Sequence, residues 1–174
     1  KLLGSYGAGD LDRRATAPAP AAPAPCVEPP PPNSAAAAYP KVARATRPQG
    51  TRVPLGHGVE IGGDDFLVIA GPCSVESREQ MLATARAVVG GGARALRGGA
   101  FKPRTNPYAF QGLGWEGVSL LAEAGRVTGV PIVTEAMSID QVERLARESD
   151  VLQIGARNMQ NFDLLRAVGR QPKP

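Results

Sequence analysis

Phe66-Leu67-Val68-Ile69-Ala70-Gly71-Pro72-Cys73-Ser74-Val75-Glu76-Ser77 is an apolar run that stops at a Gly-Pro turn, continues as a polar loop carrying a thiol, and ends on a serine placed to cap a helix. The order of apolar run, motif loop and amphipathic segment returns three more times along the chain. The apolar runs predict strands over 66–70, 93–97, 131–134 and 151–154. Their continuous apolar character, without strict alternation, points to a parallel sheet covered by helices. The helices are expected over 77–90, 115–128, 138–147 and 161–168. Met81, Ala85 and Val88 share one face of the first, and Ile139, Val142 and Leu145-Ala146 share one face of the third. Ser77 and Ser138 are placed as N-caps, and Gly90-Gly91-Gly92 as a helix stop. Four consecutive βα units are the pattern of a (β/α)8 barrel or of a doubly wound sheet.

A length of 174 residues with 43% hydrophobic content suits one domain of ordinary size with a real core. The net charge of +4 is not a nucleic-acid signal. Residues 1–58 hold seven Lys or Arg against three Asp or Glu, and residues 59–174 hold thirteen of each, so the excess lies outside the βα region. Two cysteines, Cys26 and Cys73, make no disulfide framework and fit a reducing cytoplasm. No run of about 18 apolar residues exists, and Lys1-Leu2-Leu3 does not begin a signal sequence, so no membrane partner is expected. The first residue is not Met, which reads as a fragment or as an awkward gene model at that end.

Between Thr16 and Pro40, nine prolines and nine alanines fill 18 of 25 positions. Such a segment has few large apolar side chains and repeatedly lacks a backbone donor, so 1–40 reads as a disordered Pro/Ala-rich leader. Its alternative is a proline-rich ligand for a partner domain. Residues 41–63 read as a transition in which Val59-Glu60-Ile61, followed by Gly62-Gly63, forms a hairpin leading into 66–70. The βα region occupies 64–174.

Charged and nucleophilic residues collect where the predicted strands end. Cys73 is either an ordinary buried thiol or a soft ligand for a divalent transition metal. Arg97, Lys102 and Arg104 lie within eight residues, as a solvated surface or as an anion cradle in which arginine offers a two-pronged contact and lysine a mobile charge. Glu135, straight after the third strand, is a rim salt-bridge residue or an active-site carboxylate. Gln153 and Arg157 flank Gly155-Ala156 after the fourth, where backbone N–H groups and a guanidinium can meet a phosphate. The 107–115 segment, Trp115 included, reads as packing and loop structure. No strand-linked Gly-x-Gly-x-x-Gly and no Walker-type loop occurs.

Three clusters, Gly71-Pro72-Cys73-Ser74-Val75-Glu76-Ser77, Arg97 through Lys102-Pro103-Arg104-Thr105, and Gln153-Ile154-Gly155-Ala156-Arg157-Asn158, resemble those of type I 3-deoxy-D-arabino-heptulosonate 7-phosphate (DAHP) synthase. That family shares a superfamily with the 3-deoxy-octulosonate 8-phosphate synthases, which have a different segment in place of Lys-Pro-Arg-Thr. The resemblance covers 59–174 and selects the barrel: an α/β fold holding the first half, about four βα units, of a (β/α)8 TIM barrel. A whole barrel needs roughly 200 to 250 residues, and the chain ends where a fifth strand is due.

The resemblance implies a transferase of aromatic amino acid biosynthesis that condenses phosphoenolpyruvate with erythrose 4-phosphate, in the cytoplasm and as a homo-oligomer when full length. It places Cys73 on a divalent metal (Mn, Fe, Co or Zn) whose other ligands, a histidine, a glutamate and an aspartate, come from the second half of the barrel. The single histidine, His57, precedes the first strand, so this chain is expected not to retain the metal. The resemblance puts Arg97, Lys102, Gly155, Ala156 and Arg157 on phosphoenolpyruvate and Lys102, Pro103, Arg104 and Thr105 on erythrose 4-phosphate. Lys102 and Glu135 are its catalytic pair, and Asn106 is a further candidate contact. The other reading is a non-catalytic half-barrel that binds anions or associates with another chain.

Overall fold

The computed structural model describes residues 39–174. The leader expected over 1–40, and Cys26 with it, lies outside the described residues except at Tyr39 and Pro40. There are two compact units, one ending at Pro48 and one running from Gln49 to Pro174. In the described part of the first, a 3-10 turn spans Arg44–Thr46, with the Thr46 hydroxyl 2.7 Å from the carbonyls of Pro40 and Ala43.

The second unit opens on an antiparallel hairpin of β1 (Val53–Gly56) and β2 (Val59–Ile61). This differs from the expected hairpin. Val59–Ile61 folds back onto the residues before it, because Gly56, His57 and Gly58 all adopt positive φ and turn the chain tightly there.

Four parallel strands follow in the order β3 (Ile69–Ala70), β4 (Ala95–Arg97), β5 (Ile132–Glu135) and β6 (Val151–Gln153). After them in turn come α1 (Arg78–Gly90), α2 (Trp115–Thr128), α3 (Ile139–Glu148) and α4 (Phe162–Gly169). Sequential neighbours joined by helical crossovers are the βα arrangement expected of a half-barrel. The first strand is shorter than its apolar run. Its pairing begins only where Arg94 N–H donates to the Val68 carbonyl, and Phe66 is 91% exposed.

Local chemistry fixes the helix ends. The Ser77 hydroxyl accepts from Gln80 N–H at 3.1 Å, and the Gln80 side chain accepts from Glu76 N–H at 3.2 Å, so two otherwise orphaned donors are satisfied at the start of α1. Gly91 ends that helix. At α3 the expected serine cap is replaced: Ser138 holds the N-cap position without a side-chain bond, and Gln141 accepts from Met137 N–H at 3.0 Å. Ile139, expected on the buried face of α3, is 52% exposed because it stands at the first turn, ahead of the contact made by Val142, Leu145 and Ala146.

The strands alternate more than their composition suggests. Leu96 and Ile132 face the helices and pack with Met81, Ala85 and Leu121, while Leu152 does the same with Val142, Leu145 and Leu164. Each fully buried Leu or Met there stabilises the fold by about 1.5 to 3 kcal/mol relative to exposure. The opposite face carries Ala95, Val133 and Val151 at the amino ends of the strands. Leu55 and Val59 of the hairpin pack onto them and plug that end.

Candidate active site

With Ala95, Val133 and Val151 on the inner face, a period of two puts Arg97, Glu135 and Gln153 on the same face at the carboxyl ends. They line an open cavity of about 490 Å³ together with Cys73, Lys102, Pro103, Arg104, Gly155, Ala156 and Arg157. Of the residues expected at the site, Thr105 and Asn106 are not on that wall; both are exposed on the loop beyond. Asn106 is spent on the loop itself, its side-chain oxygen accepting from Tyr108 N–H at 2.9 Å.

Gly71 turns the chain at the end of β3 with φ of 152°, and a Cβ there would collide with the Arg97 carbonyl, so the thiol loop passes directly over β4. The crossing brings Cys73 to Lys102, whose ammonium donates to the Cys73 carbonyl at 2.6 Å and to Sγ at 3.1 Å. Arg97 donates to the carbonyls of Pro72 and Cys73 at 3.3 and 3.2 Å. Arg104 donates to the Phe110 carbonyl at 3.2 Å, and Arg157 reaches across from the β6 loop to the Pro103 carbonyl at 3.3 Å. Behind Lys102, Phe101 meets Trp115 edge-on at 5.1 Å, and the Arg144 guanidinium covers the other contact of that indole at 4.0 Å. Trp115 therefore packs, as expected, and it braces the loop that carries the cations.

All four cationic side chains are thus held by main-chain carbonyls. Carbonyl dipoles fix their positions without cancelling their charge. The one carboxylate on the wall, Glu135, is 8% exposed, and its Oε2 stands 3.9 Å from Arg97. Gln153 joins the two, accepting from Arg97 Nε at 3.2 Å and donating to Glu135 Oε2 at 3.4 Å. The motif shows Gln153 only as a flank of Gly155-Ala156, and its bridge between Arg97 and Glu135 is not legible there. The hydrogen bond from Lys102, then its charge, and next the hydrogen bond from Arg97 hold the Cys73 thiol below its ordinary pKa.

A strand-end wall with four cations, one buried carboxylate and a thiol can attract and orient a small anion. A profile of the DAHP synthetase I family matches residues 42–174. The chain belongs to that family. It is 48% identical over 136 residues to the phospho-2-dehydro-3-deoxyheptonate aldolase of Thermotoga maritima, covering 78% of this chain and 40% of the relative. It is 36% identical over 125 residues to the 2-dehydro-3-deoxyphosphooctonate aldolase of Cupriavidus taiwanensis, covering 67% and 43%. The crystal structure of the Thermotoga maritima DAHP synthase superimposes with a TM-score of 0.70, over 75% of this chain and 38% of that one. A truncated form of 3-deoxy-D-arabino-heptulosonate 7-phosphate synthase from the same organism gives 0.66. The chain spans about two fifths of the length of these relatives.

A metal does not fit the described residues by themselves. No group of three His, Cys, Asp or Glu side chains among them is placed to hold an ion. At the cavity, Cys73 offers one soft donor, already engaged by Lys102, and Glu135 is tied to Gln153. His57 lines a different cleft with Ile132, Glu148 and Asp150, at the amino end of β5 and β6. No helix among the described residues is long and apolar enough to cross a membrane.

Proposed function

We propose that these residues form the phosphoenolpyruvate side, and part of the sugar-phosphate side, of a DAHP synthase active site. One observation carries this: four cations converge on a single cavity wall, each held by a main-chain carbonyl, and the one carboxylate there, Glu135, stands no closer than 3.9 Å to Arg97. Arg97, Lys102 and Arg157 bind the carboxylate and phosphate of phosphoenolpyruvate, with the backbone of Gly155 and Ala156 beside them. The Lys102-Pro103-Arg104-Thr105 loop holds erythrose 4-phosphate, Arg104 being the cation farther out.

In the reaction, C3 of phosphoenolpyruvate forms a bond to the aldehyde carbon of erythrose 4-phosphate, water adds at C2, and inorganic phosphate leaves. The fixed cations hold the two anions together against their repulsion and supply orientation. Glu135, buried and acceptor-rich, orients the incoming water. Cys73 is one donor of the metal set implied by the resemblance, and the binding chemistry above stands on the four cations alone. The substrates are small molecules, the setting is cytoplasmic, and the full-length assembly is a homo-oligomer.

Calorimetric titration of phosphoenolpyruvate into the chain tests this. Saturable binding that Arg97→Ala and Arg157→Ala each weaken about tenfold or more is expected. Equal binding by wild type and both variants would overturn it. Exposed Val68 and Ile69 at the free side of β3 favour a second reading, a non-catalytic piece that associates with another chain. Saturable uptake of a protein partner without uptake of phosphoenolpyruvate would decide for that alternative.

A further inference from the structure

We propose that Gln153 is a spacer that keeps Arg97 and Glu135 from closing into an ion pair, so that the Arg97 charge stays available to an anion. This rests on the anion-site reading above. Arg97, Glu135 and Gln153 stand on adjacent strands of one face, with Glu135 and Gln153 direct register partners. A guanidinium and a carboxylate this close, with side chains only 23% and 10% exposed, ordinarily form a two-pronged pair at about 2.8 Å. Here the gap is 3.9 Å.

Two features hold it open. The Gln153 amide takes the Arg97 Nε proton on its oxygen and gives a proton to Glu135 Oε2, filling on each group the position that a closed pair would use. Gly155 leaves room on the far side, where a Cβ would collide with the Glu135 carboxylate, so the carboxylate lies away from Arg97. A neutral amide is the group suited to this place, because it satisfies both charged neighbours and cancels neither.

A double-mutant cycle tests the spacer, with phosphoenolpyruvate as the probe and affinity read by calorimetry on the 174-residue chain. Gln153→Leu should weaken binding about tenfold, because the pair closes and neutralises Arg97. In a Glu135→Gln background the same change should cost less than about twofold, since no carboxylate remains to be held away. A merely structural role, or direct contact of Gln153 with the ligand, predicts the same loss in both backgrounds and would overturn the proposal. So would no loss in the wild-type background. Gln153→Met preserves side-chain length and repeats the cycle should leucine disturb the fold, which the emission of the single tryptophan, Trp115, reports. Absence of binding by the wild-type chain would remove the anion-site reading and the spacer with it.

Discussion

Lys102 acts on Cys73 twice, by a hydrogen bond to the sulfur and by its charge, and both favour the thiolate. The pH midpoint for alkylation of Cys73 should therefore lie below the ordinary thiol range, and Lys102→Met should raise it, as pH-resolved iodoacetamide kinetics with mass mapping will show. The linked stability has a definite sign. With the folded-state pKa lowered, stabilisation by the thiolate is complete above the unfolded-state value and is lost as pH falls through the folded one. A second expectation separates the two loop cations. Lys102 points inward to the thiol, whereas Arg104 is exposed and anchored to Phe110, so Lys102→Ala should chiefly weaken phosphoenolpyruvate and Arg104→Ala chiefly erythrose 4-phosphate. Each loss should be on the order of ten- to hundredfold. Equal effects of both variants on both ligands, measured by titration, would reduce the loop to a general electrostatic attractor.

Among the elements, α1 and α2 support the site from behind β4 through the buried cluster of Met81, Ala85, Leu96 and Leu121. Leu121→Ala, at a fully buried position between Leu96 and Met81, should cost about 2 to 5 kcal/mol, and Val127→Ala, on the exposed side of the same helix, well under 1. Denaturant midpoints will rank the two. The helices were legible in the sequence because Ser77, the 90–92 glycines and the Met81-Ala85-Val88 stripe are local signals that tertiary packing did not override. The inner face was not. Ala95, Leu96 and Arg97 read as one continuous strand run, and only the packed helices reveal that Leu96 faces one way and its neighbours the other. The hairpin differs for another reason: glycine-containing turns stand on both sides of Val59–Ile61, and the chain reverses at Gly56-His57-Gly58, not at Gly62-Gly63. The motif loops were readable as chemistry, but the carbonyls of Pro72, Cys73, Pro103 and Phe110 that fix the cations are main-chain groups, and no side-chain pattern announces them.

For the whole molecule, β3 and β6 each pair on one side with a neighbouring strand of the sheet, and Val68 and Ile69 are each 40% exposed beside the free side of β3. A polypeptide of these 174 residues should bind an apolar dye, self-associate, and release no phosphate from the two substrates with added Mn. Joined in frame to the remaining part of the Thermotoga maritima relative, it should unfold in one sharp transition and gain that activity. Dye fluorescence, light scattering and a phosphate-release assay test these outcomes, and turnover by the unjoined chain would refute the last. The hairpin stopper at the opposite end sets a traffic rule. With Leu55 and Val59 seated on the strand feet, that end of the sheet is stoppered, so a small anion reaches Arg97 and Arg157 from the carboxyl ends of the strands and leaves the same way.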